Sequence, residues 1–554
     1  MARRPLKLLR LKSDMKTKLA LFGILILAFF LRFYKLSQFP PLNADEAAIG
    51  YNAYSLIQTG KDEHGNNWPI HFQSFNDYKP GLYFYLVIPF VKILGLNEAA
   101  VRIPAATLGV LTVLVVYFLV KAFSGKDELA LASSLFLAIS PWHIHFSRGG
   151  WEVNVATFFI TLGVYLFIRA ANLKKSFLPS FLFFVLSLYT YHAPRIIVPL
   201  LGLGFLFFYK REVFLNMKSF FISFFIAFLI TIPLIIDFMG TAGLSRAAGV
   251  GLFADPGPLA RINEQRGEHK NFSSLIPKIF HNKPVNYSLA FLANWGEHFW
   301  GEFLFLSGDE IQRNKVPETG QLFMLDFVFV VIGLIVTAKK PQAFRVILFW
   351  LVIAPLAAAL TFQSPHALRS QNMVIPITII SACGFITIIK YAQNKLASRT
   401  LLAFFYFLLA VVILWGFARY QIMYWVHLPK EYPYSSQYGV KELVSFLKTT
   451  GSNFQKIIVT NRYDQPYILF LFYLKYPPFK FQNNHELTPR DEYGFSTVRE
   501  FDKYLFTRIN YDEMRPLYPN SLLIGTDEEI PDEANIIKNI YFPNGQKAFR
   551  VVAN

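Results

Sequence analysis

Long apolar runs dominate the hydropathy pattern between residues 18 and 420. Each run is close to the roughly 20 residues that a helix needs to cross a bilayer. The pattern therefore predicts eleven membrane spans. They lie at about residues 18–36, 101–121, 128–146, 153–170, 176–191, 194–209, 218–238, 320–338, 343–362, 370–390 and 400–420.

A twelfth candidate, Leu82–Leu96, is shorter and contains Pro89 and Lys92. If it does not cross, the loops on the side of the N-terminus carry 21 basic residues and the opposite margin carries six. If it crosses, fourteen of those charges move outside, against the positive-inside rule. We therefore expect a membrane-dipping or interfacial helix and a cytoplasmic N-terminus. Residues 37–100, residues 239–319 and the chain from about 430 then lie outside.

The pattern changes after residue 430, where helix-like and strand-like stretches alternate. The helix-like stretches are residues 439–448 and 466–475, and the strand-like stretches are residues 456–460 and 521–525. Such alternation is typical of a small α/β domain. We predict a mainly α, polytopic transmembrane bundle of about 11–13 spans over residues 1–430. An extracytoplasmic α/β domain over residues 431–554 follows it.

Composition agrees with a membrane protein, because 54% of the residues are hydrophobic and only 16% are charged, whereas soluble chains carry about a quarter charged residues. The net charge of +18 is spread along the chain, so we expect no nucleic-acid partner. Cys383 is the single cysteine. An intramolecular disulfide and a cysteine-based zinc site are therefore excluded.

Charged residues gather at the ends of the predicted spans on the outer side. Ionisable groups near membrane depth are costly and often mark functional cavities. A set of carboxylates and cations there suits the transfer of a group from a lipid phosphate. Lys and Arg stabilise the leaving phosphate, and a carboxylate removes the proton of an acceptor hydroxyl. The candidate catalytic residues are Asp45 and Glu46. The candidate substrate-binding residues are Lys79, Arg102, Arg148, Glu152, Arg195, His366 and Arg369.

Each candidate also has a purely structural interpretation. An Asp-Glu pair in a loop is commonly a helix N-cap or a solvated surface. Arg148, Arg195 and Arg369 could be interfacial anchors that reach toward lipid headgroups. The histidines, His366 among them, do not form a His-x-x-x-His pattern, which favours packing over metal binding.

Several short motifs in the first 200 residues resemble a known superfamily. Their order and sidedness are similar to those of the protein O-mannosyltransferase and aminoarabinose transferase superfamily, membrane glycosyltransferases of GT-C fold. The motifs are Arg32-Phe33-Tyr34-Lys35-Leu36, Asp45-Glu46, Lys79-Pro80-Gly81, Arg102-Ile103-Pro104, Ser140-Pro141, Ser147-Arg148 and Glu152.

The resemblance implies a polyprenyl-phosphate sugar donor and inversion at the anomeric carbon, on the extracytoplasmic face of the cell membrane. It makes Asp45 the catalytic base, with Glu46 shaping the acceptor site. Lys79 and Arg148 would hold the donor phosphate, and Arg102 would support the site. The acceptor could be a protein, a lipid or a glycan. No cofactor is expected, although the sequence does not exclude a divalent metal.

Two residues depart from the superfamily pattern. Gly81 stands where a second proline is common, which we expect to loosen the turn presenting Lys79. Glu152 stands near a position that is commonly aspartate, which puts its role in doubt.

The main alternative function is a polytopic transporter or flippase for a lipid-linked sugar. Transporters often show internal repeats and interrupted helices at the midplane, and the sequence pattern shows neither. A nucleotide-sugar enzyme would need a large cytoplasmic domain, and the predicted inner loops are short. The C-terminal domain could recognise an acceptor or cap the active-site cleft.

Overall fold

The computed structural model describes residues 14–75, 77–242, 251–339, 342–490 and 496–554. Among the 21 basic residues counted on the side of the N-terminus, Lys340 and those before Lys16 lie outside these ranges. The described chain up to about residue 450 is mainly helical, with a hairpin of β1, His71–Ser74, and β2, Asp77–Pro80, and a larger sheet lies near the C-terminus. Helices α1 to α11 are Met15–Phe33, Ala44–Thr59, Leu82–Leu94, Glu98–Ser124, Asp127–Ile139, Pro141–Arg148, Glu152–Leu173, Leu178–Leu188, Pro194–Phe208, Lys210–Leu215 and Met217–Asp237.

Each of the eleven predicted apolar runs contains a helix, but fewer are long enough to span a bilayer alone. Five helices in the described ranges pass by length and composition, or six if the bent pair Asp127–Ile139 and Pro141–Arg148 counts as one span. The pair bends by 56° at Pro141, because proline lacks the N–H that continues a helix. The five helices are Glu98–Ser124, Glu152–Leu173, Met217–Gly240, Gln371–Lys395 and Arg399–Glu431.

The predicted membrane-dipping segment is α3, a helix of 13 residues that contains Pro89. A helix of that length extends about 20 Å, which is less than the hydrocarbon thickness of about 30 Å. It packs against α2 and α4. The helices Leu178–Leu188 and Asp326–Ala338, which lie in predicted spans, are no longer than α3. Length alone therefore does not separate α3 from them, and its non-crossing and the orientation of the bundle stay predictions.

In its described residues, the second predicted outer loop, 239–319, contains three α-helices and several short π- and 3-10-helical turns. The apolar run at 343–362 is divided into two helices around Pro355. Helices α12 to α20 are Gly257–Gly267, Leu275–Phe280, Lys283–Glu297, Asp326–Ala338, Gln342–Ile353, Leu356–Ala359, Val374–Lys395, Arg399–Ile422 and Leu428–Glu431.

The C-terminal region is a seven-stranded mixed sheet with helices, which confirms the predicted α/β character. Strands β3 to β9 are Lys456–Val459, His485–Leu487, Val498–Phe501, Tyr504–Phe506, Ser521–Gly525, Ile536–Tyr541 and Lys547–Ala553. Their order in the sheet is β4-β5-β6-β3-β7-β9-β8, with β3 parallel to both β6 and β7. Helices α21 to α24 are Val440–Thr450, Pro466–Leu474, Pro478–Asn483 and Tyr511–Leu517.

The C-terminal region shares a hydrophobic core with the first outer loop. Helix α22 is almost wholly buried and packs against α2. A Cβ atom at Gly50 of α2 would lie 2.6 Å from the ring of Phe472, so glycine permits this close approach. The contact fixes the C-terminal region beside the N-terminal end of α2, where the candidate site lies.

Candidate active site

Asp45 lies in the first turn of α2. Asn43 caps this helix by accepting the Glu46 N–H at 3.0 Å, and a carboxylate oxygen of Glu46 accepts the Asn43 N–H at 3.2 Å. This reciprocal pair is a capping box. The cap fixes where α2 begins, and the positive end of the helix dipole favours the Asp45 carboxylate.

Two cations from distant parts of the chain approach Asp45. Lys79 donates from Nζ to Oδ1, and Arg313 Nη1 lies 3.9 Å from Oδ2. Arg313 Nη1 also lies 3.1 Å from Oδ2 of Asp464 in the C-terminal region. We call these four residues the Asp45 cluster. Its side chains keep partial exposure: 19% for Asp45, 15% for Lys79 and 40% for Arg313. They are therefore accessible to a ligand.

A two-stranded hairpin presents Lys79. Its strands, β1 at His71–Ser74 and β2 at Asp77–Pro80, are antiparallel, with Phe72 opposite Lys79. Gly81 donates its N–H to the Ile70 carbonyl at 2.9 Å, and a Cβ there would lie 2.8 Å from the Phe72 ring. Our expectation of a looser turn at Gly81 was wrong, because glycine gives a close, hydrogen-bonded turn that proline could not form.

Glu46, next to Asp45, is in a different environment. It is 1% exposed, and its two oxygens accept from Arg102 Nε at 2.6 Å and Nη2 at 2.7 Å. The Gly150 N–H donates to Oε1 at 2.7 Å, and the Asn43 N–H of the capping box donates to Oε2. Both oxygens are thus already bonded to protein groups. The contacts argue against the predicted roles of Glu46 in catalysis and in the acceptor site, and make it a buried structural residue.

Comparison with known proteins identifies this architecture. Residues 23–238 match the family described as dolichyl-phosphate-mannose-protein mannosyltransferase. A protein of Aquifex aeolicus, described as uncharacterized, is 30% identical over 155 residues, which are 28% of this chain and 30% of the relative. The match thus spans less than a third of that relative.

Two solved structures share the fold. ArnT from Cupriavidus metallidurans, bound to undecaprenyl phosphate, has a TM-score of 0.55 and 10% identity over 98% of both chains. The archaeal oligosaccharyltransferase AglB from Archaeoglobus fulgidus, in complex with an inhibitory peptide and a dolichol-phosphate, has a TM-score of 0.51 and 13% identity. That match covers 83% of this chain and 63% of AglB.

The chain has the GT-C fold. This confirms the predicted fold class and the resemblance to GT-C glycosyltransferases. Sequence identities of 10% and 13% support a shared fold but do not assign roles to individual residues. The roles of the site residues therefore have to be argued from the geometry of the site.

Within this GT-C fold, Arg148 is a structural residue. It is 1% exposed and donates to the carbonyls of Leu31, Tyr34 and Phe39 at 2.9, 2.8 and 3.2 Å. Its Nε donates to the Tyr424 hydroxyl at 3.0 Å. The Leu31 carbonyl lies in the last turn of α1, and the other two lie in the non-helical chain after it, so all three lack helical N–H partners and need such donors. These contacts argue against the predicted binding of donor phosphate by Arg148.

Arg102 binds the backbone beside the site, and its predicted supporting role stays a prediction. Besides pairing with Glu46, it donates to the carbonyls of Leu36, Pro40 and Pro41 at 2.9, 2.8 and 3.0 Å. Glu46, Arg102 and Arg148 together form a buried group that we call the Glu46 layer. It holds the segment between α1 and α2, and thereby the position of Asp45.

Arg195 anchors the hairpin that carries Lys79. Its Nη2 lies 2.6 Å from His71 Nε2, and its Nη1 lies 3.1 Å from His192 Nδ1. His71 in turn contacts Asp237 at the end of α11. The guanidinium also stacks on the Phe238 ring at 4.5 Å. These contacts connect the hairpin to the beginning of α9 and the end of α11. The predicted substrate-binding role of Arg195 stays a prediction.

His366 and Arg369 lie together in the loop before α18. His366 Nδ1 is 3.6 Å from Oδ2 of Asp309, and Arg369 Nη1 donates to the Thr361 hydroxyl at 2.7 Å. Glu152 is buried at the start of α7. The roles predicted for these three residues in substrate binding stay predictions.

Sequence reasoning missed Arg313 and Asp464. Arg313 lies in a short turn, Gln312–Asn314, without a recognisable motif. Its only signal was position, as a cation in the predicted outer loop 239–319. A metal site stays untested: across the described ranges, no group of three or more His, Cys, Asp or Glu side chains is placed to hold an ion.

Proposed function

We propose that this protein is an inverting membrane glycosyltransferase that moves a sugar from a polyprenyl-phosphate donor to an acceptor hydroxyl. The observation that carries the proposal is the Asp45 cluster, in which one partly exposed carboxylate lies between two partly exposed cations. ArnT binds undecaprenyl phosphate, and AglB was solved with a dolichol-phosphate and a peptide. These relatives support a lipid-phosphate donor for the fold that this chain shares.

In the proposed reaction, Asp45 is the general base. The acceptor oxygen attacks the anomeric carbon, and the hydroxyl proton passes to the Asp45 carboxylate. The bond between that carbon and the phosphate oxygen breaks on the opposite face, through a transition state with oxocarbenium character. The electron pair leaves with the lipid phosphate, and the sugar inverts.

We assign Lys79 and Arg313 to the donor phosphate. Their charges lie on either side of Asp45, and both are positioned to stabilise the negative charge that grows on the leaving phosphate. Arg313 replaces Arg148 in this assignment, because Arg148 is buried and bonded to backbone carbonyls. Both cations also contact the Asp45 carboxylate in the structure.

We place the Asp45 cluster on the extracytoplasmic side of the cell membrane, as the distribution of basic residues predicts. Asp45 lies in the first turn of α2, within the predicted outer segment 37–100. A site at the end of the membrane helices favours a transferase over a transporter with a midplane site. The acceptor class, whether protein, lipid or glycan, remains to be identified.

The test is an assay of the purified full-length protein with a panel of polyprenyl-phosphate sugars. Release of polyprenyl phosphate from at least one donor, in the presence of a membrane extract as the acceptor source, is expected. The Asp45→Asn variant, purified in the same way, controls for contaminating transferases. Folded wild-type protein that releases no polyprenyl phosphate from any donor would refute the function.

A further inference from the structure

A buried carboxylate, Asp309, ties the turn that carries Arg313. One oxygen, Oδ1, accepts the Ile311 N–H at 2.9 Å. The other, Oδ2, accepts from Asn314 Nδ2 at 3.1 Å. These two bonds enclose the short turn Gln312–Asn314 from both ends, so its backbone is fixed relative to the Asp309 side chain. Asp309 itself is 1% exposed.

The same carboxylate joins this turn to a second loop. Oδ2 accepts the Ala367 N–H at 2.6 Å and lies 3.6 Å from His366 Nδ1. The His366 N–H donates to His298 Nε2 at 3.1 Å. Burial lowers the pKa of His298 to about 4, so that ring is neutral and Nε2 can accept. Asp309 is thus held by a loop that lies before α18, well separated in the chain from the turn it supports.

Two further bonds anchor these loops to α6. His145 Nε2 lies 2.9 Å from the Arg313 carbonyl oxygen, and Trp142 Nε1 donates to the Ala367 carbonyl at 3.0 Å. The contact with His145 therefore holds the backbone of Arg313, while the Arg313 side chain extends to Asp45 and Asp464. A long side chain has several rotamers, so its placement near Asp45 depends on a fixed backbone.

We infer that Asp309 is a positioning residue for Arg313, and that binding of the donor phosphate depends on it although it touches no substrate. The inference rests on the proposed phosphate role of Arg313. Removing the carboxylate frees the turn, and the guanidinium then spends less time beside Asp45.

The test measures binding of undecaprenyl phosphate, without sugar or acceptor, to the full-length protein in detergent or nanodiscs. Asp309→Asn keeps the size of the side chain but turns an amide N–H toward the Ala367 N–H or the Asn314 amide. We expect Asp309→Asn to weaken binding about tenfold, as for the loss of hydrogen bonds to a charged group. Arg313→Ala is expected to weaken it at least as much.

The double variant separates positioning from a general structural role. If Asp309 acts through Arg313, the Asp309→Asn/Arg313→Ala protein binds no more weakly than Arg313→Ala alone. Glu529→Gln is the matched control, because Glu529 is also buried and accepts the N–H groups of Thr526 and Ile509 at 3.0 and 3.2 Å. It lies in the C-terminal region, and we expect wild-type binding.

Asn314→Ala is a milder variant in case Asp309→Asn does not fold, because it removes one of the two bonds that close the turn. We expect it to weaken binding by about two- to fivefold. Wild-type binding by Asp309→Asn and Asn314→Ala, or additive losses in the double variant, would overturn the inference. If the wild-type protein does not bind undecaprenyl phosphate, or binds it independently of Lys79 and Arg313, the proposed function fails instead.

Discussion

Asp45 and Glu46 are neighbours in one helical turn, yet their surroundings differ in kind. Glu46 is almost fully buried, and three N–H groups from Arg102 and Gly150 occupy its oxygens. Asp45 keeps a fifth of its side-chain surface and lies between two cations that are themselves partly exposed. The difference shows that residue type alone does not distinguish an accessible carboxylate from one whose oxygens are occupied by protein groups.

The cations follow the same division. Arg102 and Arg148 are buried and donate to carbonyls of the segment between α1 and α2. Lys79 and Arg313 contact carboxylates at the margin of the site and retain exposure. We therefore expect substitutions in the Glu46 layer to affect folding, and substitutions in the Asp45 cluster to affect turnover.

The largest expected effect is that of Asp45→Asn. The amide cannot accept the acceptor proton, so sugar transfer should fall by about 10²–10⁴-fold, while unfolding is little changed. Initial rates of polyprenyl-phosphate release, together with thermal unfolding of the same preparations, check this. An unfolded variant would also be inactive, so both measurements are needed to separate a catalytic effect in the Asp45 cluster from a folding effect in the Glu46 layer.

Glu46→Gln should have the largest effect on stability. The substitution leaves Arg102 buried without its counter-charge, and breaking a buried pair costs about 3–5 kcal/mol. Denaturant or thermal unfolding of the purified protein measures the loss. Glu442→Gln is a suitable control, since the Glu442 carboxylate is about half exposed and its pair with Lys538 should contribute less than about 1 kcal/mol. Wild-type stability of Glu46→Gln would contradict the structural role.

Lys79→Ala and Arg148→Ala should separate the two kinds of cation. Lys79→Ala is expected to weaken undecaprenyl-phosphate binding about tenfold or more, because a charged hydrogen-bond donor is lost. Arg148→Ala should instead lower the unfolding temperature. Its undecaprenyl-phosphate affinity per folded molecule should stay within about threefold of the wild-type value, a change well below the tenfold that corresponds to about 1.4 kcal/mol. The reverse pattern would restore Arg148 as the phosphate ligand.

A third carboxylate of the same outer loop, Glu63, is expected to affect stability only through the pH. It is fully buried. Burial, together with the neighbouring Asp62 carboxylate, raises the pKa of Glu63 to about 8. The folded protein then holds a proton that the unfolded chain loses near pH 4.3. Its stability should fall as the pH rises from about 4.5 to 8. Glu63→Gln mimics the protonated form and should lessen this fall, as unfolding temperatures from pH 5 to 9 would show.

The parts of the fold that follow from local pattern could be predicted from the sequence. Apolar runs locate the membrane helices, and the C-terminal strands Lys456–Val459 and Ser521–Gly525 lie where alternation predicted them. Breaks inside runs were not foreseen, although Pro141 and Pro355 mark them. These helices and strands could be predicted because proline and apolar residues act on the conformation of their neighbours in the chain.

The roles of individual charges could not be predicted in the same way. Arg148 is structural because carbonyls from Leu31 to Phe39 surround it, and no spacing in the sequence reveals that enclosure. Arg313 reaches Asp45 from more than 260 positions away, as their residue numbers show. Whether a charge is occupied by protein groups or left partly exposed depends on such long-range packing.

The most direct test compares Asp45→Asn and Glu46→Gln in one assay, with turnover expressed per folded molecule. The account predicts that Glu46→Gln, once corrected for its folded fraction, releases polyprenyl phosphate within about tenfold of the wild-type rate, while Asp45→Asn loses about 10²-fold or more. Equal losses in the two variants, or full turnover by Asp45→Asn, would contradict it.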